Sequence, residues 1–276
     1  MPLYNPWLIT LNYLRQHRSL TTAETGDDTL LGSFIQEASN EVCEAMKRVP
    51  HPYVKTRTFD YGGGFMPNVR TLNLDEDLLA LRTLTNASEV IDNSGYVMLP
   101  NNTYPKWRVQ LKAVSTNTFT YNTSPEQSVS IAGIWGYVPH YPGCWKTLTT
   151  AAEPLDTSET AIDLTSGTLI EVGNYLLIDS EQMFVTAISS NTATVERGVN
   201  GTTAATHLSS APVAAFQQAS DIAGAVRSIA AYYYLTKNQI GVRVTVFDGG
   251  AVQVQELDPR IQKTIDRHKR RTIMGV

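Results

Sequence analysis

The sequence predicts an α+β chain: a helical bundle core carrying β-hairpins or a small sheet, with a small all-β domain inserted into it. Three observations predict this. Apolar residues recur at helical spacing near both ends of the chain, period-two runs fill the stretch from Tyr53 to Tyr137, and strand-like segments crowd between Pro154 and Pro212. The insert spans 152–214, and the host is made of 1–151 and 215–276.

The elements follow in order. Asn5-Pro6 reads as an N-cap with proline at the first helical position, and Leu8, Leu11 and Leu14 form a short helical stripe. Ser19 to Asp27 is polar and reads as a loop. From Asp28 a longer helix carries Leu31, Phe34, Ile35, Ala38, Val42, Ala45 and Met46 until Pro50 stops it. The β-type runs are Tyr53 to Tyr61, Val69 to Leu74, Leu78 to Leu84, Tyr96 to Leu99, Lys106 to Lys112 and Val129 to Tyr137. Gly62-Gly63-Gly64 joins the first two as a hairpin tip, since no GK[ST] and no helix follow it as a phosphate cradle would need.

Within the insert, short strands are expected at Ala161 to Leu164, Leu169 to Val172, Tyr175 to Ile178, Met183 to Thr186 and Thr192 to Val195, closing as a barrel or sandwich. Ser220 then caps a helix with Ile222, Val226, Ile229, Ala230 and Tyr233 on its buried face, running to about Asn238. Val242 to Val254 reads as a hairpin turning at Asp248-Gly249-Gly250. Asp258-Pro259 opens a last helix with Ile261 and Ile265 on one side and bases on the other.

Charge is unevenly distributed over the 276 residues, whose formal net charge is −4. Residues 152–214 hold eight acids against the single base Arg197, a net of −7, so the rest of the chain carries +3. Arg260 to Arg271 holds six bases against Asp266, a net of +5. The mild overall acidity argues against general DNA coating, while the asymmetry points to distinct surfaces or partners. No basic region ahead of an apolar one marks a signal peptide, and no run reaches the ~18 apolar residues of a membrane span, so a non-secreted protein without a membrane partner is expected.

Residues able to carry chemistry are sparse. No G-x-S-x-G elbow is present, Cys43 and Cys144 stand apart as free thiols, and the five histidines are scattered, so no catalytic residue, cofactor or metal is expected. Asp179 and Glu181 alternate along a presumed strand as glycosidase acids would, or form a solvated acidic face. Trp135, Tyr137, His140, Tyr141 and Trp145, and separately Tyr232 to Tyr234, could stack on sugars, or serve a core or subunit interface. The bases of the last helix suit a docking tail, or complement the helix dipole on a solvated face.

The order of elements carries a resemblance. Ile35 to Val42 (IQEASNEV), Val54 to Tyr61 (VKTRTFDY), Gly133-Ile134-Trp135-Gly136-Tyr137 and the helix from Asp221 to Lys237 together resemble the head-tail connector (adaptor, head-completion) proteins of tailed bacteriophages. Within the insert, Glu181-Gln182-Met183, then Arg197-Gly198, Gly201-Thr202-Thr203-Ala204 and His207, are similar to a small β module of phage virion proteins. Arg197-Gly198 ends a strand and Asn200-Gly201 supplies a tight turn, so this signature also reads as structural.

The resemblance implies a non-enzymatic virion protein at the capsid vertex, assembled in the host cytoplasm. It would form a ring, usually dodecameric, between the portal and the tail-side completion, terminator or nozzle protein, with the genome passing through its channel. It further implies a C-terminal segment docking on the portal, here Arg267, Lys269, Arg270, Arg271, Thr272, Ile273 and Met274. The alternative is a receptor- or carbohydrate-binding virion protein acting through the β module.

Overall fold

The computed structural model of the chain describes residues 7–17, 20, 25–237 and 259–270. They divide into two compact units: one gathers the chain up to Lys47, Glu171–Asn174 and Gln218–Arg270; the other holds Arg48–Ile170 and Tyr175–Gln217.

The first unit is helical, with α1 (Leu11–Arg15), α2 (Asp28–Met46), α3 (Ser220–Thr236) and α4 (Pro259–His268). Thr10, not Asn5, caps α1: its side chain accepts from the Tyr13 N–H at 3.1 Å. Asn5-Pro6 lies outside the described residues, as does the expected hairpin from Val242 to Val254. In α2 the buried apolar side chains are Leu31, Ile35, Ala38, Val42 and Met46, one stripe of a 3.6-residue repeat, with Gly32 and Ser39 buried beside them. Lys47 then turns left-handed at φ 54° and its N–H bonds back to the Glu44 carbonyl, ending the helix. α3 buries Ile222, Val226, Ile229 and Ala230 as expected, with Tyr233 only half-buried. The tetrapeptide Glu171–Asn174, whose first two residues were expected to end a strand from Leu169 to Val172, joins this unit instead. Leu11 N–H donates to the Val172 carbonyl at 3.0 Å, and Glu171 accepts from Thr10 Oγ1 and Asn12 Nδ2 at 2.5 and 2.7 Å.

The second unit is built from two antiparallel sheets of six strands each, which overturns the expected helical bundle core: the fold is mostly β. The first sheet comprises β1 (Tyr53–Phe59), β2 (Thr71–Asn86), β3 (Glu89–Ile91), β4 (Tyr96–Leu99), β5 (Lys106–Leu111) and β6 (Val129–Trp135). Its order is β1-β6-β2-β5-β4, with β3 on the end of β2. β1 and β2 therefore flank β6, and the glycine triplet between them is not a hairpin tip. β1 finds its partner far along the chain, Tyr53 facing Trp135 and Phe59 facing Val129. Local periodicity carries no trace of such a pairing, which is why the runs read as separate hairpins.

β2 was expected as two runs because Asp75-Glu76-Asp77 interrupts the apolar pattern. It runs unbroken, since each acid has a cation: Arg57 pairs with Asp75 and Glu76, and Arg48 Nε lies 3.6 Å from Asp77. Pairing of β2 with β5 shifts register across this stretch, between Asn73 and Leu78, as a β-bulge allows.

The second sheet contains β7 (Trp145–Thr150), β8 (Ala161–Asp163), β9 (Tyr175–Ile178), β10 (Glu181–Ser189), β11 (Thr192–Glu196) and β12 (Pro212–Phe216), in the order β7-β12-β9-β10-β11-β8. Residues 152–214 thus supply most of it, completed by β7 and the end of β12. Its core gathers Leu155, Ile162, Leu176, Ile178, Met183, Val185, Val195 and Val213, all buried. Each such side chain removed from water contributes on the order of 1.5–3 kcal/mol before entropy is counted.

Candidate functional site

The β9–β10 hairpin brings two acidic residues of the insert, Asp179 and Glu181, together. Asp179 and Ser180 form its two-residue turn, with Asp179 at φ 53°, and Ile178 pairs with Glu181 across it. The two carboxylates do not stand side by side on a strand; they converge on His207. Its Nδ1 lies 2.8 Å from Asp179 Oδ2 and its Nε2 2.9 Å from Glu181 Oε2. Asp179 remains largely exposed, whereas Glu181 and His207 are buried.

Arg197, directly after β11, closes the network. Its Nε and Nη2 donate to the two Glu181 oxygens at 2.7 and 2.9 Å. Its remaining N–H groups go to the carbonyls of Asp156, Glu159 and Ala205 at 2.9, 2.7 and 2.7 Å, so all five guanidinium donors are used. The Gly198 and Ala205 N–H groups also donate to Glu181, at 3.0 and 2.9 Å. Burial alone would raise the Glu181 pKa, but the hydrogen bonds from Arg197, Ala205 and His207 and the Arg197 charge hold it down to about 2. Such a carboxylate is ionised near neutral pH and fully occupied. It neither donates a proton nor has an open face for a nucleophile, so the glycosidase geometry does not form at Asp179 and Glu181.

The rest of the insert signature makes a second connection. Asn200 and Gly201 both take positive φ, 55° and 76°, and the Thr202 N–H closes the turn on the Val199 carbonyl at 3.1 Å. Thr202 Oγ1 accepts from the Gln182 N–H at 3.0 Å and donates to the Val199 carbonyl at 2.8 Å. From this turn the Asn200 carbonyl accepts the β1 Val54 N–H at 2.8 Å, and Gln182 Nε2 donates to the Pro52 carbonyl at 3.1 Å. Asn200 Nδ2 holds Gln182 Oε1 at 2.8 Å. The turn after β11 therefore stitches the second sheet to the first strand of the other sheet. Asn200-Gly201 was legible as a turn; its partner at Val54 was not.

Sequence reasoning missed His51, which is completely buried against the rings of Tyr175, Phe216 and Trp145 at 4.2, 4.5 and 6.2 Å. Nδ1–H donates to the Pro52 carbonyl at 2.8 Å, and Nε2 has no hydrogen-bond partner among the described residues. Burial pushes its pKa down to about 3, against the pull of the Pro52 carbonyl, so the ring stays neutral. Only its position before a proline and a strand marked it. The aromatic cluster divides: Trp135 is buried with Nε1 donating to the Lys55 carbonyl at 2.9 Å, Tyr137, Tyr141 and Trp145 are half-buried, His140 is exposed, and Tyr141 stacks edge-on with Tyr104. Tyr233 and Tyr234 donate to Glu41 and Asp27.

The basic end divides. Ile261 and Ile265 of α4 are buried while Arg260, Lys263, Arg267 and Lys269 are exposed. Arg267 Nη1 reaches Asp221 Oδ2 at 3.5 Å, and His268 Nε2 lies 2.6 Å from the same oxygen. The Arg270 N–H donates to the Met46 carbonyl at the end of α2, at 2.9 Å. Arg271, Thr272, Ile273 and Met274 lie outside the described residues. Among the described residues no cluster of His, Cys, Asp or Glu could hold a metal ion, and no helix is long and apolar enough to cross a membrane. Neither the protein-family models nor the curated proteins compared with this chain give a match.

Proposed function

We propose that the protein is a structural virion component of the head-tail connector type: a ring subunit that joins a portal to the tail side and lets the genome pass, its C-terminal segment docking on the portal. The observation that carries this reading is the internal saturation of the insert signature. Glu181, Arg197, Gly198 and His207 spend their polar groups on one another and on nearby backbone, and Gly201 and Thr202 shape a turn that holds two sheets together. A module built this way offers a rigid scaffold and leaves recognition to its surface, as assembly requires.

Three further features support the reading: the order of elements along the chain, the polar and weakly charged composition, and an uncharged tail after the final helix. Docking by that tail gains from multivalency once subunits form a ring, because each further contact becomes intramolecular. Electron microscopy of the purified protein, alone and mixed with its cognate portal, tests the reading. Stacked rings are expected. A monomer that fails to bind portal with its C-terminal tail intact overturns it, and glycan binding by the full chain in that case would favour the receptor-binding alternative.

A further inference from the structure

We infer that the exposed face of α4 is a binding surface for the phosphate backbone of duplex DNA. Arg260, Lys263 and Arg267 stand at i, i+3 and i+7 and so share one side of the helix, opposite buried Ile261 and Ile265. At 1.5 Å rise per residue they span about 10 Å, over which duplex DNA presents roughly six phosphate charges. Lys269 and Arg270 continue the positive charge past the helix end.

Among the described residues, two acids lie at this face in contact with its side chains. Asp266 is on the same helix and accepts from Gln262 Nε2 at 3.0 Å; Asp221 of α3 lies 3.5 Å from Arg267 and is shared with His268. Even so, the Arg267 side chain keeps 60% of its exposure. Residues 259–270 carry five Lys and Arg against Asp266 alone.

The composition of the face favours nucleic acid over an acidic protein. A protein-docking patch centres on buried aromatic or aliphatic anchors and is poor in lysine. Here the two isoleucines of the helix point inward, and the exposed positions are Pro259, Arg260, Gln262, Lys263, Asp266 and Arg267, with no large apolar side chain among them. Cations on a polar face with no apolar anchor suit phosphate contacts that position without reading sequence. The inference goes beyond the proposed connector role and does not require it: a protein that fails to bind portal could still bind DNA through α4, and the reverse.

The test uses the full chain and a fluorescent duplex of about twenty base pairs, followed by anisotropy between about 50 and 200 mM salt. Binding should weaken with salt at a log–log slope of about −3, one phosphate per base of the stripe, and should not depend on sequence. The double variant Arg260→Glu, Lys263→Glu should bind at least about tenfold more weakly at low salt with unchanged circular dichroism. A milder pair, Arg260→Gln and Lys263→Gln, should follow it in direction should the reversal disturb the helix. Lys146→Glu, exposed on β7, should leave binding within about twofold. Absence of salt-sensitive duplex binding, equal binding by wild type and both double variants, or an equal loss in Lys146→Glu overturns the inference. So does tighter binding of polyglutamate than of duplex, which would reassign the face to an acidic protein.

Discussion

Arg197 and Glu181 meet fork to fork: Nε lies 2.7 Å from Oε1 and Nη2 2.9 Å from Oε2, with both side chains almost wholly withdrawn from water. Bidentate geometry and the three carbonyls that take the other guanidinium protons make this a satisfied buried pair. Such a pair adds little net stability over an apolar filling, but removing one partner strands the other. Arg197→Met should therefore cost about 3–5 kcal/mol in urea unfolding, since it leaves Glu181 ionised and short of two donors and leaves the Asp156, Glu159 and Ala205 carbonyls unpaired. Asp179→Asn should cost far less, because Asp179 is 63% exposed. Equal costs would show that the network is not centred on Glu181.

Acid should weaken this pairing in a defined window. The folded Glu181 carboxyl sits at about 2, below its ordinary 4.5. A depressed carboxyl contributes stability that is fully present above the unfolded value and is lost as pH falls from about 4.5 toward 2. The contribution is at most about 3 kcal/mol. Chemical denaturation at a series of pH values should show the loss in wild type and not in Glu181→Gln; parallel profiles would count against it.

His51 should act in a higher window with the same overall sign. Its folded pKa of about 3 lies below the ordinary 6.5, so the unfolded chain takes up a proton that the folded one refuses. Stability should fall as pH drops from 6.5 toward 3, by up to about 1.4 kcal/mol per pH unit. His51→Met removes the titrating group while the Pro52 carbonyl keeps its bond from Gln182 Nε2 at 3.1 Å. The variant should have a flatter profile between pH 6.5 and 4.5, whatever its absolute stability at neutral pH. An unchanged slope there would assign the acid sensitivity to other groups.

These contacts mark where the sequence was legible. The end of helix α2 was not read, since it closes at Met46 on a left-handed Lys47 ahead of the expected stop at Pro50, but its apolar stripe could be read because that information is local. Strands β4 and β9 matched their apolar runs for the same reason. What could not be read was long-range. The pairing of Tyr53 with Trp135, the neutralisation of Asp75 and Glu76 by Arg57, and the bond from Val54 to Asn200 each join residues that no local period connects. Missing these pairings turned two sheets into hairpins on a helical core. The signature residues from Glu181 to His207 were legible as a set, but their roles depended on His207 meeting both carboxylates, which only the folded hairpin provides.

Among the described glycines, Gly136 combines a positive φ with the closest approach of backbone to an added Cβ. It follows β6 at φ 131°, its N–H donates to the Asp77 carbonyl at 2.8 Å, and a Cβ placed on it would lie 2.1 Å from the His51 carbonyl oxygen and 2.9 Å from its carbon. Both atoms are backbone and cannot swing aside, so an added methyl must push apart the segment at His51-Pro52 and the end of β6. The positive φ adds strain for any L side chain, whatever space is made. Gly136→Ala should thus destabilise by more than about 2 kcal/mol. Gly64→Ala, between β1 and β2 with nothing within 4 Å of its Cβ, is the matched control and should stay within about 0.5 kcal/mol. Thermal unfolding of the two variants decides it: similar melting temperatures would mean that the close approach at His51 relaxes freely.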